Sequence, residues 1–427
     1  MIPNKIIILG AGSSGLISAL VLKNKLKDCN IVIIRSTKPV IGVGEATVGS
    51  FVKSLKDHMG INLDDFIKNV KPINKHGIWF AFGKNDFHYT FDTAFDYHVF
   101  KENDPIGFKF DGGNFGNSRL SRLMINNEEV FANHNSTGLH LDNKLFLKYM
   151  ENECIKRGIK IIDDKITSVE YNKIGDVSSL NKKYKADFFV DCSGFKSLLN
   201  KSKWVSYSKM LINDRALVFV TNTKLRPYTK ATTMNNGWLW EIDHLNSATY
   251  GYVYSSKYTD EKNILKELKN KGMNVSNYKI IKFKTGRKEK PWIGNTVTIG
   301  NSNMFVEPLE SSALMAVIEN IVDVADILRY KNRGNLIELY NKNCNIYYDN
   351  IRDFVFCHFC FNKKLNTKYW VDYRKRSYML NNKSLASNVI SYYKINNTNI
   401  KFTGSFYHNN PFGLEGWHSI LRGLDVK

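Results

Sequence analysis

The chain opens on an unbroken apolar run, Ile6-Ile7-Ile8-Leu9, the pattern of a strand buried on both faces of a parallel sheet. Gly10-Ala11-Gly12-Ser13-Ser14-Gly15 follows, and then Leu16, Ala19, Leu20 and Leu22 mark one face of a helix. A second buried strand is read over Ile31–Ile34. Strand, glycine turn and helix in that order are the context in which a GxGxxG motif binds a dinucleotide. Gly10 permits the tight turn, Gly12 lets a pyrophosphate approach the backbone, and Gly15 lets helix and strand pack closely. Ser13 and Ser14 open the helix, whose first amides carry partial positive charge. Where an acid usually ends the second strand and binds a ribose hydroxyl, this chain has Arg35. Three readings stay open there: a ribose-phosphate contact of the NADP kind, stacking on adenine, or no role.

A later stretch repeats the logic. Pro308 ends a loop, Ser311 and Ser312 are good N-cap residues, and Leu314, Val317, Ile318, Ile321 and Val324 follow at helical spacing. The start of such a helix presents unpaired amides that can hold an anion. Trp238 and Trp240 stand two apart in a strand pattern and so share a face. Helical periods return around Tyr340 to Phe361.

Composition narrows the classes. The chain has 427 residues, 43% hydrophobic and 24% charged, which is globular. Its apolar runs are too short to cross a membrane, and the first runs into a glycine turn rather than a signal cleavage site. A cytoplasmic protein without membrane contact is expected. The formal charge of +21 comes from 48 Lys and only 13 Arg scattered among Asn, unlike the clustered Arg forks of nucleic-acid readers. No nucleic-acid partner is expected, although the field should draw in anions. Of the cysteines at 29, 154, 192, 344, 357 and 360, only Cys357 and Cys360 are close, with His358 between them. Zinc would want a second pair, so no metal site is expected, only thiols on a helix in a reducing compartment.

Several further segments, in order, resemble the flavin-dependent halogenases of the tryptophan-halogenase-like family. Gly42-Val43-Gly44-Glu45-Ala46-Thr47 is similar to that family's GEAT segment. Lys75-His76-Gly77-Ile78-Trp79-Phe80 is similar to the segment with its catalytic lysine. Leu141-Asp142, Asp191-Cys192-Ser193-Gly194-Phe195-Lys196-Ser197 and Asn213-Asp214-Arg215-Ala216 follow suit. Trp238-Leu239-Trp240-Glu241-Ile242 resembles the WxWxIP signature, with Asp243 in place of proline. Gly286-Arg287, Trp292, Asn295 and Ile299-Gly300 resemble the second flavin motif, and Glu307-Pro308-Leu309-Glu310-Ser311-Ser312 the EPLES turn. Arg352-Asp353-Phe354, Tyr369-Trp370 and Trp417 complete the series.

The resemblance implies an α/β fold: a Rossmann-like FAD-binding domain of the flavin monooxygenase type, a strand-rich substrate module and a helical C-terminal cap. The FAD domain would be assembled from residues 1–50, 140–200 and 280–330 within 1–330. Residues 51–139 and 205–280 would form the substrate module, and 331–427 a cap trimmed to leave an open pocket. FAD would contact Gly10, Gly12, Ser13, Ser14, Gly15, Arg35, Gly44, Glu45, Ala46, Asp191 and Gly300. Halide would sit on backbone near Ser312 and Ala313, where the family usually has Thr-Gly; Ala313 lacks the freer angles of Gly. Lys75 would carry electrophilic halogen as hydrogen-bonded hypohalous acid or as a haloamine, because burial frees a nucleophilic amine. Glu310 would take the ring proton or orient the oxidant. Ser311 would support substrate or Glu310, and Trp238 and Trp240 would keep substrate from the flavin. Asp243 is expected to relax the loop after them. His76, His88 and Tyr89 either line the pocket, His88 in contact with substrate, or are ordinary surface groups.

No second GxGxxG is visible, so reduced FAD must come from a separate flavin reductase acting on a homo-oligomer. The substrates would be a small aromatic, dioxygen and halide, with bromide or iodide preferred over chloride. Two rivals share the fold: a single-component NAD(P)H-dependent flavin monooxygenase and a non-catalytic flavin-binding protein. Retention of both Lys75 and Glu310 argues against the second.

Overall fold

The run Ile6–Ile8 is wholly buried inside strand Lys5–Leu9, an inner strand of a six-stranded sheet. The sheet comes from a computed structural model that describes residues 2–36, 45–91, 119–128, 137–380, 384–396 and 410–426. Its strand order is Trp292–Ile293, Thr296–Thr298, Phe188–Asp191, Lys5–Leu9, Asn30–Arg35, Lys160–Asp163. All neighbours run parallel except the edge strand Trp292–Ile293. Helix Ser13–Lys25 covers one face, burying Leu16, Ala19, Leu20 and Leu22 as their spacing predicts, and packs on helix Ala313–Ile327. The mixed α/β architecture matches expectation.

A seven-stranded sheet lies apart in topology, ordered Lys279–Lys282, Arg215–Thr221, Ala248–Tyr254, Gly237–Asp243, Thr229–Met234, Gly77–Ala81, Phe87–Thr90. It is antiparallel but for one junction, where Thr229–Met234 runs parallel to Gly77–Ala81. That junction stitches the segment after Lys75 into a sheet built from much later residues. A third, three-stranded sheet joins Glu45–Ala46 and Ile73–Lys75 to the two edges of Gly138–Leu141.

Asp243 engages a loop other than the one after the tryptophans, which it was expected to relax. Its buried carboxylate accepts hydrogen bonds from Lys224 N (3.0 Å), Arg226 N (3.3 Å), Arg226 Nε (2.5 Å) and Thr223 Oγ1 (3.3 Å). A proline has no group that could do this, so aspartate here orders the preceding loop, 223–226. Arg226 also donates to Glu241 (2.6 Å), and the two acids hold its guanidinium firmly charged. Removing one partner of a buried ion pair leaves an uncompensated charge, at a typical cost of about 3–5 kcal/mol. Arg226→Met should therefore lower stability by about that much, read as a shifted urea midpoint with unchanged slope. A loss under about 1 kcal/mol would mean that the acids relax into water.

Beyond Arg333 the described elements are helical: Gly334–Cys360, Lys368–Arg374, a short 3-10 turn Ser377–Leu380, Leu385–Asn396 and Gly413–Gly423. The long helix buries Tyr340, Cys344, Tyr348, Ile351 and Phe354 in an apolar cluster shared with the six-stranded sheet and with Trp417. Trp370 Nε1 donates to Met234 O (2.7 Å), which fastens the helices to the seven-stranded sheet. No helix of the described residues is long and apolar enough to cross a membrane.

Candidate active site

The glycine turn is built for close approach. Gly10 has φ +113°, and a side chain there would place Cβ 2.4 Å from the Cys192 carbonyl oxygen. A Cβ on Gly15 would sit 2.0 Å from the Gly10 oxygen. Gly12 stands at the N-cap of helix Ser13–Lys25, and no side chain caps that end. Its leading amides are thus available to a pyrophosphate. Gly300 closes the far side, where an added Cβ would meet Ser14 Oγ at 2.1 Å. Ser13 Oγ donates to Glu45 Oε1 (3.1 Å), and burial raises the pKa of that carboxyl. Ala46 pairs with His140 beside it, while Gly44 lies outside the described residues. The uncapped helix and tight glycines fit a dinucleotide such as FAD.

Two of the expected cofactor contacts point elsewhere. Asp191 ends its strand beside the turn, but its carboxylate accepts from Ser193 N (3.0 Å), Ser193 Oγ (2.6 Å) and Leu199 N (2.7 Å). It orders its own loop. Arg35 is held by Asp163 (2.6 Å) and Glu151 (2.7 Å), so its guanidinium is engaged by acids on neighbouring elements.

Lys75 ends strand Ile73–Lys75 and is 0% exposed. Its Nζ donates to Ser311 Oγ (2.7 Å) and lies 5.2 Å from the centroid of the Phe91 ring. Desolvation drives its pKa down to about 7, against the opposing pull of the Glu310 charge. Opposite it in the ladder is Gly138, where a Cβ would strike Thr47 O at 2.5 Å and the Phe91 ring at 2.9 Å. The missing side chain lets that ring close over the amine.

Glu310 belongs to a 3-10 turn, Pro308–Glu310, and Ser311 after it is left-handed, with φ 55°. The expected side-chain cap does not form: Ser312 occupies the N-cap of helix Ala313–Ile327 without capping it, and Ser311 Oγ is taken by Lys75. The helix start therefore keeps its amides for an anion, which fits a halide. Ala313 is already helical, so it bears none of the strain that a glycine would relieve; the strained residue is Ser311. Glu310 is 2% exposed, and its Oε1 lies 2.7 Å from Nε2 of His358. Neither of its oxygens receives a well-directed hydrogen bond from the described residues. The Glu310–His358 approach is a short polar contact.

A buried amine, a buried carboxylate beside it and an uncapped helix start are the parts expected of a halogenase. The tryptophan halogenase family profile matches residues 5–426. The chain belongs to the tryptophan halogenase family. Tryptophan 7-halogenase RebH of Lentzea aerocolonigenes is 28% identical over 426 residues, covering 86% of this chain and 78% of that one. Tryptophan 6-halogenase ThaL of Streptomyces albogriseolus is 26% identical, with the same coverage. Among solved structures, MibH, a lanthipeptide tryptophan 5-halogenase, aligns with TM-score 0.86 at 26% identity over 100% of this chain and 86% of its own. This protein is a flavin-dependent halogenase, working with FAD reduced by a separate reductase and with halide.

The halogenase places its tryptophans as their spacing predicts: Trp238 and Trp240 are buried with ring centroids 6.0 Å apart. Trp238 Nε1 donates to Glu307 Oε2 (2.8 Å), which also accepts from Asn213 Nδ2 (2.7 Å), and burial pushes the Glu307 carboxyl up to about 7. His88 is not brought to Lys75. It packs on Trp79 (4.4 Å) and bonds to Ser121 (2.7 Å), on the face opposite Phe87 and Tyr89. Tyr89 and Phe80 face the site instead, against Phe354 and His358. His76 is buried, with Nε2 3.2 Å from Glu128 O. Sequence reasoning missed Phe91, Glu307 and His358. Only the first glutamate of the EPLES turn offered a signal, since a second acid three residues before Glu310 lies one turn away.

Proposed function

We propose that this halogenase attaches halogen to a small electron-rich aromatic ring of the indole, phenol or pyrrole type, with Lys75 as the delivering group. The observation that carries the reading is the wholly buried Lys75 amine, 2.7 Å from Ser311 Oγ, with its pKa lowered by burial to about 7 so that the neutral amine is accessible. The likeness to RebH and ThaL, both tryptophan halogenases, supports an indole among the substrates. When bound, reduced FAD supplies with dioxygen the oxidising equivalent that turns halide into hypohalous acid. The residues do the rest. The uncapped amides at Ser312 and Ala313 hold the halide. The neutral Lys75 amine takes the halogen from hypohalous acid, releasing water. Electrophilic halogen then passes to a ring carbon, Glu310 accepts the proton that carbon loses, and the amine regains one. Trp238, fixed through Glu307, and Trp240 separate this ring from the flavin. The reductase is a transient partner of a homo-oligomer in the cytoplasm. Reduced flavin, halide and a panel of indoles, phenols and pyrroles, read by mass spectrometry, tests the reading. Product formed with NADPH alone, without a reductase, would favour a single-component monooxygenase.

The halide preference belongs to the same proposal. A tightly hydrated chloride needs close amides to repay its dehydration, whereas bromide and iodide shed water more cheaply and are easier to oxidise. Bromide or iodide should therefore outcompete chloride at equal concentrations, with free hypohalite scavenged. Dominant chlorinated product would refute it. Because Ala313 is unstrained, Ala313→Gly should leave the preference unchanged.

A further inference from the structure

Glu307 stands three residues before Glu310 and is 1% exposed. Both of its donors land on one oxygen: Trp238 Nε1 (2.8 Å) and Asn213 Nδ2 (2.7 Å) meet at Oε2. A carboxylate oxygen has two lone-pair sites, so Oε2 is full. Oε1 is buried and has no hydrogen-bond partner among the described residues. The network continues behind Asn213. Tyr369 Oη donates to Asn213 Oδ1 (2.9 Å), and Ile212 N donates to Tyr373 Oη (3.1 Å). Both tyrosines are wholly buried and belong to helix Lys368–Arg374. A chain of directed bonds thus runs from that helix through Asn213 and Glu307 to the Trp238 indole. Desolvation raises the Glu307 pKa to about 7, against the pull of its two hydrogen bonds. The titratable groups facing it are Tyr369 and Tyr373, whose phenols burial holds well above their ordinary range, so they stay neutral.

We propose that Glu307 is a positioning residue for Trp238: Oε2 holds the indole N–H and ties it through Asn213 to helix Lys368–Arg374, while Oε1 takes up a proton without breaking either bond. The inference rests on the reading of Trp238 as a wall between aromatic substrate and flavin. Above about pH 7 the carboxylate is ionised, and its bonds to both donors are charge-assisted, about twice as strong as neutral ones. Below that pH the proton goes to Oε1, because Oε2 is full, and the same two bonds persist with a neutral acceptor. The indole stays in place but is held less firmly. A tryptophan that pivots more freely shields the substrate ring from the flavin less well. Tyr369 bears on the same grip at one remove, since it fixes the amide whose Nδ2 donates to Glu307.

The test has two arms. Nitrogen–proton NMR of indole-labelled protein reads the hold directly. The chain has seven tryptophans, and the Trp238 signal is the one missing from Trp238→Phe. Its N–H should move downfield as pH rises through about 7. In Glu307→Gln, which fills the same space but cannot ionise, it should stay near the low-pH position throughout. In Tyr369→Phe the midpoint should rise by about half a unit to one unit, because a loosened Asn213 stabilises the carboxylate less. A Trp238 signal that ignores pH in the wild type, or that still titrates in Glu307→Gln, overturns the proposal. An unmoved midpoint in Tyr369→Phe overturns the tie to the helix. The second arm uses indole, bromide and reduced FAD at about pH 8, above the Lys75 midpoint, so that its amine is mostly neutral. Glu307→Gln should there turn several-fold more indole into an oxygenated product than the wild type does. In that product one atom of dioxygen joins the ring and the other leaves as water, with two electrons drawn from reduced flavin. A titrating Trp238 signal with an unchanged product ratio would instead defeat the reading of Trp238 as a wall and leave the proton-tuned hold standing.

Discussion

Replacing Lys75 with alanine is expected to abolish carbon–halogen bond formation while FAD binding and flavin oxidation stay near wild type. The side chain is wholly enclosed, held by Ser311 and covered by Phe91, and it lies on a strand outside the six-stranded sheet that carries the glycine turn. Removing the amine takes away the relay and leaves the cradle of Gly10, Gly12 and Gly15 untouched. Hypohalous acid should still form and reach a scavenger in solution, so the variant becomes a leak rather than a dead enzyme. The wild type should gain rate as pH rises through about 7, because the folded-state pKa is depressed and the neutral, nucleophilic amine appears above it. The sign is fixed by desolvation, which disfavours the ammonium; a rate falling across that range would mean that the charged form works. A Lys75→Ala enzyme retaining most of its rate would remove the lysine from the chemistry.

Glu310→Gln should cost about 10²–10⁴ in the halogenation rate, the range that a positioned acid or base contributes. The amide fills the same space but cannot take up the ring proton. FAD oxidation and halide binding should be preserved, because the 3-10 turn and the left-handed Ser311 depend on backbone geometry and not on the carboxylate. Single-turnover rates with a fixed aromatic separate this from altered flavin oxidation. An effect below about tenfold would leave Glu310 a structural role.

What could be read from the chain divides by the reach of the interaction. The glycine turn and helix Ser13–Lys25 were legible because apolar period, turn chemistry and helix start fall within about one turn of each other. The helix after Pro308 was legible for the same reason, though not its end chemistry: Ser312 looks like a cap and is none. Lys75 was one lysine among 48, and its burial depends on Gly138 and Ser311, far off in sequence. Asp243 read as a lost proline because Arg226, its partner, belongs to another strand connection. His88 could have been assigned to the far face from alternation alone, since Trp79 and Phe80 set opposite faces of the adjoining strand. His358 lay hidden behind its flanking cysteines, which suggested metal chemistry and drew attention from a turn 48 residues earlier.

The stitched junction has a consequence for how the protein is made. Lys75 leaves the ribosome 236 residues before Ser311, its hydrogen-bond partner. At about 5–20 residues per second, that is an interval of about 10–50 s. Gly77–Ala81 must wait through most of it for Thr229–Met234, and Phe188–Asp191 likewise waits for Thr296–Thr298. During synthesis the nascent segment holds a charged, hydrated lysine and open strand edges, which are adhesive surfaces on a crowded polysome. Slow translation or scarce chaperones should therefore reduce the yield of soluble enzyme more than any single contact energy would suggest, and co-expression of a holdase should restore it.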